Sequence, residues 1–78
     1  MSLPVAEPSQ MRSSKPPTLE ELFGDLEGPL LLYAMKLVQN HETAQDLVQD
    51  AFLRLHPRLT EVEQPKAWLY RTVHNLAM

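Results

Sequence analysis

Apolar residues recur at helical spacing in three stretches of this chain, and nowhere do they alternate in the period-two manner of a half-buried strand. The first stretch opens on Thr18-Leu19-Glu20-Glu21, a hydroxyl followed three residues later by a carboxylate, which is the layout of a capping box and predicts a helix start. Leu19, Leu22, Phe23 and Leu26 carry the period forward, and Leu30, Leu31, Tyr33, Ala34, Leu37 and Val38 continue it to about Gln39. Between these sets Gly28-Pro29 lacks one backbone donor, so the spacing predicts an arm bent or broken there, or restarted with Pro29 in its first turn. Asn40 is placed to cap a second helix running to about Leu55, stopped by Pro57 because proline disfavours helix in the residue before it. Its buried side is predicted as Ala44, Leu47, Val48, Ala51 and Leu55, with Phe52 at the margin.

Pro57 to Gln64 reads as a polar connection, after which Pro65 suits the first turn of a third helix containing Lys66 to Met78. On that helix Trp68, Leu69, Thr72, Val73 and Leu76 share a face, with Trp68 and Asn75 near its border; Ala67, Tyr70, Arg71, His74 and Met78 turn away from it. The expected fold is all-α, a small bundle of three main helices without strands or internal repeats.

Residues 1–17 break the pattern, carrying four of the seven prolines among scattered Ser, Gln and Lys. They read as a flexible leader to a single domain over 18–78. At 78 residues and 44% hydrophobic content, one domain with a modest core is what the chain supports, which excludes a multi-domain enzyme. The absence of cysteine rules out disulfides, a thiolate nucleophile and a Cys-based zinc site, and fits a reducing, cytoplasmic setting. No apolar run approaches the roughly 20 residues needed to span a bilayer, and the first residues lack the layout of a secretory signal, so the chain reads as soluble, without a membrane partner.

Charge changes this picture through its distribution. The net charge of −3 argues against a protein that coats nucleic acid by bulk electrostatics. From Thr18 to His56 two basic residues, Lys36 and Arg54, stand against seven acidic ones, Glu20, Glu21, Asp25, Glu27, Glu42, Asp46 and Asp50. From Pro57 onward three basic residues, Arg58, Lys66 and Arg71, face only Glu61 and Glu63. Any nucleic-acid contact is therefore expected in the last third.

Two helix faces hold chemistry that packing does not require. Opposite the apolar side of the second helix lie Glu42, Gln45, Asp46, Gln49 and Asp50, and among them Leu53, out of phase with the other leucines. A solvated acidic ridge with one stray leucine accounts for this, since single exposed leucines are ordinary. A docking surface accounts for it too, the charges orienting a basic partner helix and the leucine supplying desolvated area. On the third helix Tyr70, Arg71 and His74 combine a stacking ring, a fixed cation and a hydrogen-bonding ring, which suits unpaired bases and their phosphates; an amphipathic helix whose tyrosine covers a neighbour is the plainer alternative. Enzyme chemistry finds little support. His41, His56 and His74 have no metal-ligand spacing, Glu42, Asp46 and Asp50 form a ridge without a basic partner, and both glycines precede a proline rather than cradle a phosphate. No catalytic residue, metal or cofactor is expected.

Asn40 to Leu55 (NHETAQDLVQDAFLRL) and Pro65 to Ala77 (PKAWLYRTVHNLA) closely resemble region 2 of bacterial RNA polymerase sigma factors of the sigma-70 family, in the extracytoplasmic-function group. The resemblance joins Ala-x-Asp-Leu-Val-Gln-x-x-Phe-Leu-Arg-Leu on one helix to Ala-Trp-Leu-Tyr-Arg-x-x-x-Asn-Leu-Ala on the next, and extends less sharply back to about Leu19. It implies that Asp46, Gln49, Asp50 and Leu53 dock on the clamp helices of the largest subunit of core RNA polymerase. It further implies that Lys66, Trp68, Tyr70, Arg71, His74 and Asn75 contact the non-template single strand of the minus-ten promoter element; the place of Trp68 on the packed face suits it mainly to support the helix, and the DNA role falls best to Tyr70, Arg71 and Asn75. The implied function is binding in transcription initiation, and an anti-sigma factor joins the implied partners.

Two features depart from the family pattern. The connection Pro57 to Gln64 has no aromatic and two glutamates, where the family's base-capture specificity resides, and the run Gln64-Pro65-Lys66-Ala67-Trp68 resembles the iron-starvation subgroup. The chain also ends at Met78, before the basic continuation of the third helix and the helix-turn-helix domain that follows in the family. A shortened domain of this kind is expected to bind polymerase better than DNA and to cover exposed apolar surface by self-association. The alternative function is a stand-alone helical interaction module, or a truncated sigma remnant that occupies the clamp without promoter activity.

Overall fold

The computed structural model describes residues 17–78, so most of the leader read from residues 1–17 lies outside the described residues. Three helices follow one another: α1 (Leu19–Val38), α2 (His41–Leu55) and α3 (Pro65–Ala77), with a 3-10 turn over His56–Arg58; no strand occurs among the described residues. Each helix packs on both others, giving the three-helix, all-α bundle that the periodicity predicts.

The capping box at the start of α1 is present in full. The Glu21 N–H donates to Thr18 Oγ1 at 3.1 Å, and the Thr18 N–H donates to Glu21 Oε1 at 3.0 Å. Both would otherwise be orphan donors of the first turn. Thr18→Ala is expected to lower stability by about 1 kcal/mol, read as a lower urea midpoint at unchanged slope.

Of the forms expected for the first helix at Gly28-Pro29, α1 shows neither a break nor a restart: it runs as one helix through Pro29. Proline deprives the carbonyl four residues back, that of Asp25, of its helical donor. Asp25, Gly28 and Pro29 are all exposed, so water can satisfy that carbonyl, while Leu26 and Leu30 on the other side are buried and hold the two halves on one core. α1 ends where Gln39 adopts a left-handed φ of 56° and donates its N–H to the Met35 carbonyl at 2.8 Å. Asn40 then caps α2, its Oδ1 accepting from the Thr43 N–H at 2.9 Å, and the chain reverses within two residues.

The core is Leu22, Leu26, Leu30 and Ala34 from α1, Ala44, Val48, Ala51, Phe52 and Leu55 from α2, and Leu69 and Val73 from α3. Ala34, Ala44 and Ala51 are fully buried, and their small side chains let the helix backbones approach closely. Two positions differ from the periodicity reading. Phe52, expected at the margin, is buried, because Phe23 of α1 lies edge-on against it with ring centroids 5.0 Å apart. Leu47, expected inside, is half-buried. The connection after α2 is less polar in its packing than in its composition: Leu59 and Val62 are half-buried against the core, tying down the segment that leads to Pro65.

Candidate functional site

The face of α2 away from the core carries Asp46, Gln49, Asp50 and Leu53, spaced so that they form one stripe along the helix. Leu53 is 71% exposed on a helix whose leucines otherwise pack. Asp46 and Gln49 are exposed, and Asp50 is half-buried. The Asp50 carboxylate accepts from Arg54 Nε at 3.1 Å, one turn further on, leaving Oδ2 free of this pairing. This pair is about half exposed on each side and contributes little to stability. Asp50→Arg, which loses the pair and sets like charges one turn apart, is therefore expected to cost less than about 1 kcal/mol by thermal melting.

The six residues read as a strand-binding set form an arc around the outer side of α3. Arg71 stands exposed at its crest. On one flank Trp68 and Asn75 join Thr72 and Leu76, and with Arg54 and Arg58 from the end of α2 and the turn after it they line a cleft of about 390 Å³. On the other flank Lys66 and Tyr70 line a second cleft of about 430 Å³ with Leu22, Asp25, Leu26 and Pro29 of α1. His74 lies further along that flank, its Nδ1 3.1 Å from the Tyr33 hydroxyl.

Tyr70 does not turn away from the bundle as the helical period alone suggests. It is half-buried, its ring edge-on to Tyr33 with centroids 5.2 Å apart, because α1 covers this flank of α3 while α2 covers the other. Trp68 is also half-buried and packed against the core, in keeping with a supporting role that still leaves part of the indole on the cleft. Lys66, Arg71, His74 and Asn75 are exposed.

Arg54 and Arg58 are the residues that sequence reasoning passed over. Their signal is their place at the end of α2 and in the turn after it, just before the short connection to α3. Arg58 lies 3.9 Å from Glu61, a loose exposed pair that leaves its other guanidinium nitrogens available. Two guanidinium groups, an indole, a hydroxyl and an amide around one cleft can bind an anion and a planar ring together. Nothing in either cleft pairs a nucleophile with a base, and among the described residues no group of three or more His, Asp or Glu side chains is gathered to hold a metal. No helix among the described residues is long and apolar enough to cross a membrane.

Comparison with known proteins gives one result that bears on this arrangement. The model of the family described as Sigma-70 region 2 matches residues 22–78, which takes in α2, α3, the turn between them and α1 from Leu22 onward. No curated protein and no solved structure matches. The match covers well over half of the chain and spans both helix faces just described, and on that ground the chain belongs to the sigma-70 region 2 family, a non-enzymatic domain of transcription factors.

Proposed function

We propose that this chain serves as region 2 of a sigma factor of the extracytoplasmic-function group, docking on core RNA polymerase and holding the minus-ten promoter element open. The observation that carries the docking half is Leu53, exposed within the stripe of Asp46, Gln49 and Asp50 on a helix whose apolar side is already spent on the core. An apolar anchor rimmed by carboxylates and an amide suits a basic helix, and the clamp coiled coil of the largest subunit is the partner proposed for it.

The DNA half rests on α3. Lys66, Trp68, Tyr70, Arg71, His74 and Asn75 supply cations, rings and an amide along one arc, in the last third of the chain, where Arg58, Lys66 and Arg71 outnumber Glu61 and Glu63. Strand separation needs no bond-making. A surface that stacks and hydrogen-bonds unpaired bases lowers the free energy of melted DNA relative to duplex, and the flanking cations offset the phosphate charge. The chain then acts in the cytoplasm with the polymerase, and an anti-sigma factor would act by covering the same α2 stripe.

The test is affinity for purified core polymerase and for the isolated clamp coiled coil, with Asp50→Arg beside the unaltered chain. Micromolar or tighter binding, on the order of 8 kcal/mol, that weakens in Asp50→Arg is the expected result. Absence of binding to either target overturns the proposal. Clamp binding without any retention of a single-stranded minus-ten oligonucleotide would instead select a clamp-occupying module.

A further inference from the structure

Tyr33 has no place in either proposed surface, yet it is the residue of α1 that meets both rings on the outer flank of α3. Its ring is edge-on to Tyr70 at 5.2 Å and nearly parallel to the His74 imidazole at 6.5 Å, and its hydroxyl lies 3.1 Å from His74 Nδ1. Tyr33 and Tyr70 are half-buried whereas His74 is exposed. Tyr33 therefore touches both rings, with its hydroxyl on Nδ1 of the imidazole.

We propose that Tyr33 is a positioning residue for strand binding: its hydroxyl donates to Nδ1 of neutral His74, and its ring braces Tyr70. A neutral imidazole has one donor and one acceptor nitrogen. Once Nδ1 accepts from Tyr33, the ring proton resides on Nε2, and that nitrogen becomes a hydrogen-bond donor. Donors are what phosphate oxygens and base carbonyls require. The same contact fixes the plane of the imidazole, so the ordering of an exposed side chain is largely complete before the strand arrives. The edge-on contact does likewise for Tyr70, holding one face of its ring in a set direction for stacking. α1 thus contributes to DNA affinity without touching DNA. This inference rests on the reading of α3 as the strand-binding surface.

The experiment combines two readouts on the full chain, alone and bound to core polymerase. The first is the ¹⁵N spectrum of the neutral His74 ring, which distinguishes a proton on Nε2 from one on Nδ1. The second is affinity for a fluorescein-labelled single-stranded oligonucleotide carrying the minus-ten sequence. Tyr33→Phe keeps the ring and the packing and removes only the hydroxyl. It is expected to shift His74 from a predominant Nε2–H form to a mixture and to weaken oligonucleotide binding by about three- to tenfold, the range for one neutral hydrogen bond. The melting temperature should stay close to that of the unaltered chain.

In a His74→Ala background, Tyr33→Phe should have no further effect on affinity, because the hydroxyl acts through that imidazole. Unchanged affinity in Tyr33→Phe, an Nδ1–H form in the unaltered chain, or additive losses in the double variant each overturn the positioning role while leaving the strand-binding surface intact. Failure of the unaltered chain to bind the oligonucleotide on polymerase sinks the strand-binding reading itself, and the positioning role with it.

Discussion

Leu53→Glu is expected to weaken binding to the clamp coiled coil by roughly thirtyfold or more while leaving the fold unchanged. Leu53 is 71% exposed, so replacing it removes little buried area. Glutamate is as good a helix former as leucine to within a few tenths of a kcal/mol, and the stability change should stay within about 0.5 kcal/mol. In a complex the position differs. An apolar anchor at the centre of a small interface is commonly worth about 2 kcal/mol or more, and a carboxylate there must also be desolvated. A weakening of roughly thirtyfold or beyond follows, which moves a micromolar complex to tens of micromolar or weaker. The sign of the charge makes the result informative. Glutamate adds to the negative stripe of Asp46 and Asp50, which a basic partner would favour, so loss of binding reports the missing apolar contact rather than charge repulsion. Binding retained in Leu53→Glu, with the melting curve unchanged, would move the docking face elsewhere.

What the sequence made legible follows from which forces are local. Helix starts were readable at Thr18 and Asn40 because capping is settled by side chains within three residues of the backbone they serve. The α2 stripe was readable because a single leucine out of phase stands out once the apolar arc is assigned. Contacts between helices were not readable in the same way. Phe52 lies at the margin of its own helix's apolar arc and is buried in the core, with Phe23 of α1 edge-on against it. Tyr70 covers a neighbour, as the plainer alternative for α3 has it, but that the neighbour is Tyr33 is not written in the period of either helix, and the Tyr33–His74 bond joins residues 41 positions apart. At Pro29 the sequence leaves a bend and a break both open, and the choice falls to the buried neighbours Leu26 and Leu30, which hold the two halves of α1 on one core. The composition of the connection after α2 also misled, since two half-buried side chains, Leu59 and Val62, decide how it lies.

Leu69→Ala is expected to be the most damaging single change, and it separates the stability of the domain from its surfaces. Leu69 is fully buried, and with Val73 it forms the buried anchor of α3. Truncation of such a leucine costs about 2–5 kcal/mol through lost transfer energy and the cavity left behind. A domain of roughly 60 residues has on the order of 3–9 kcal/mol in total, so little or nothing remains. The melting temperature should fall by more than about 10 °C, measured by circular dichroism at 222 nm. α1 and α2 alone form a helical hairpin whose remaining apolar face would lie open to water, so the loss should be cooperative, with the α2 stripe and the α3 arc failing together. Leu53→Glu and Tyr33→Phe must instead show their effects at unchanged melting temperature. If Leu69→Ala melted within a few degrees of the unaltered chain, α3 would be held by contacts other than its buried face. The clefts on its two flanks, which depend on how closely it seats between α1 and α2, would then have to be redrawn.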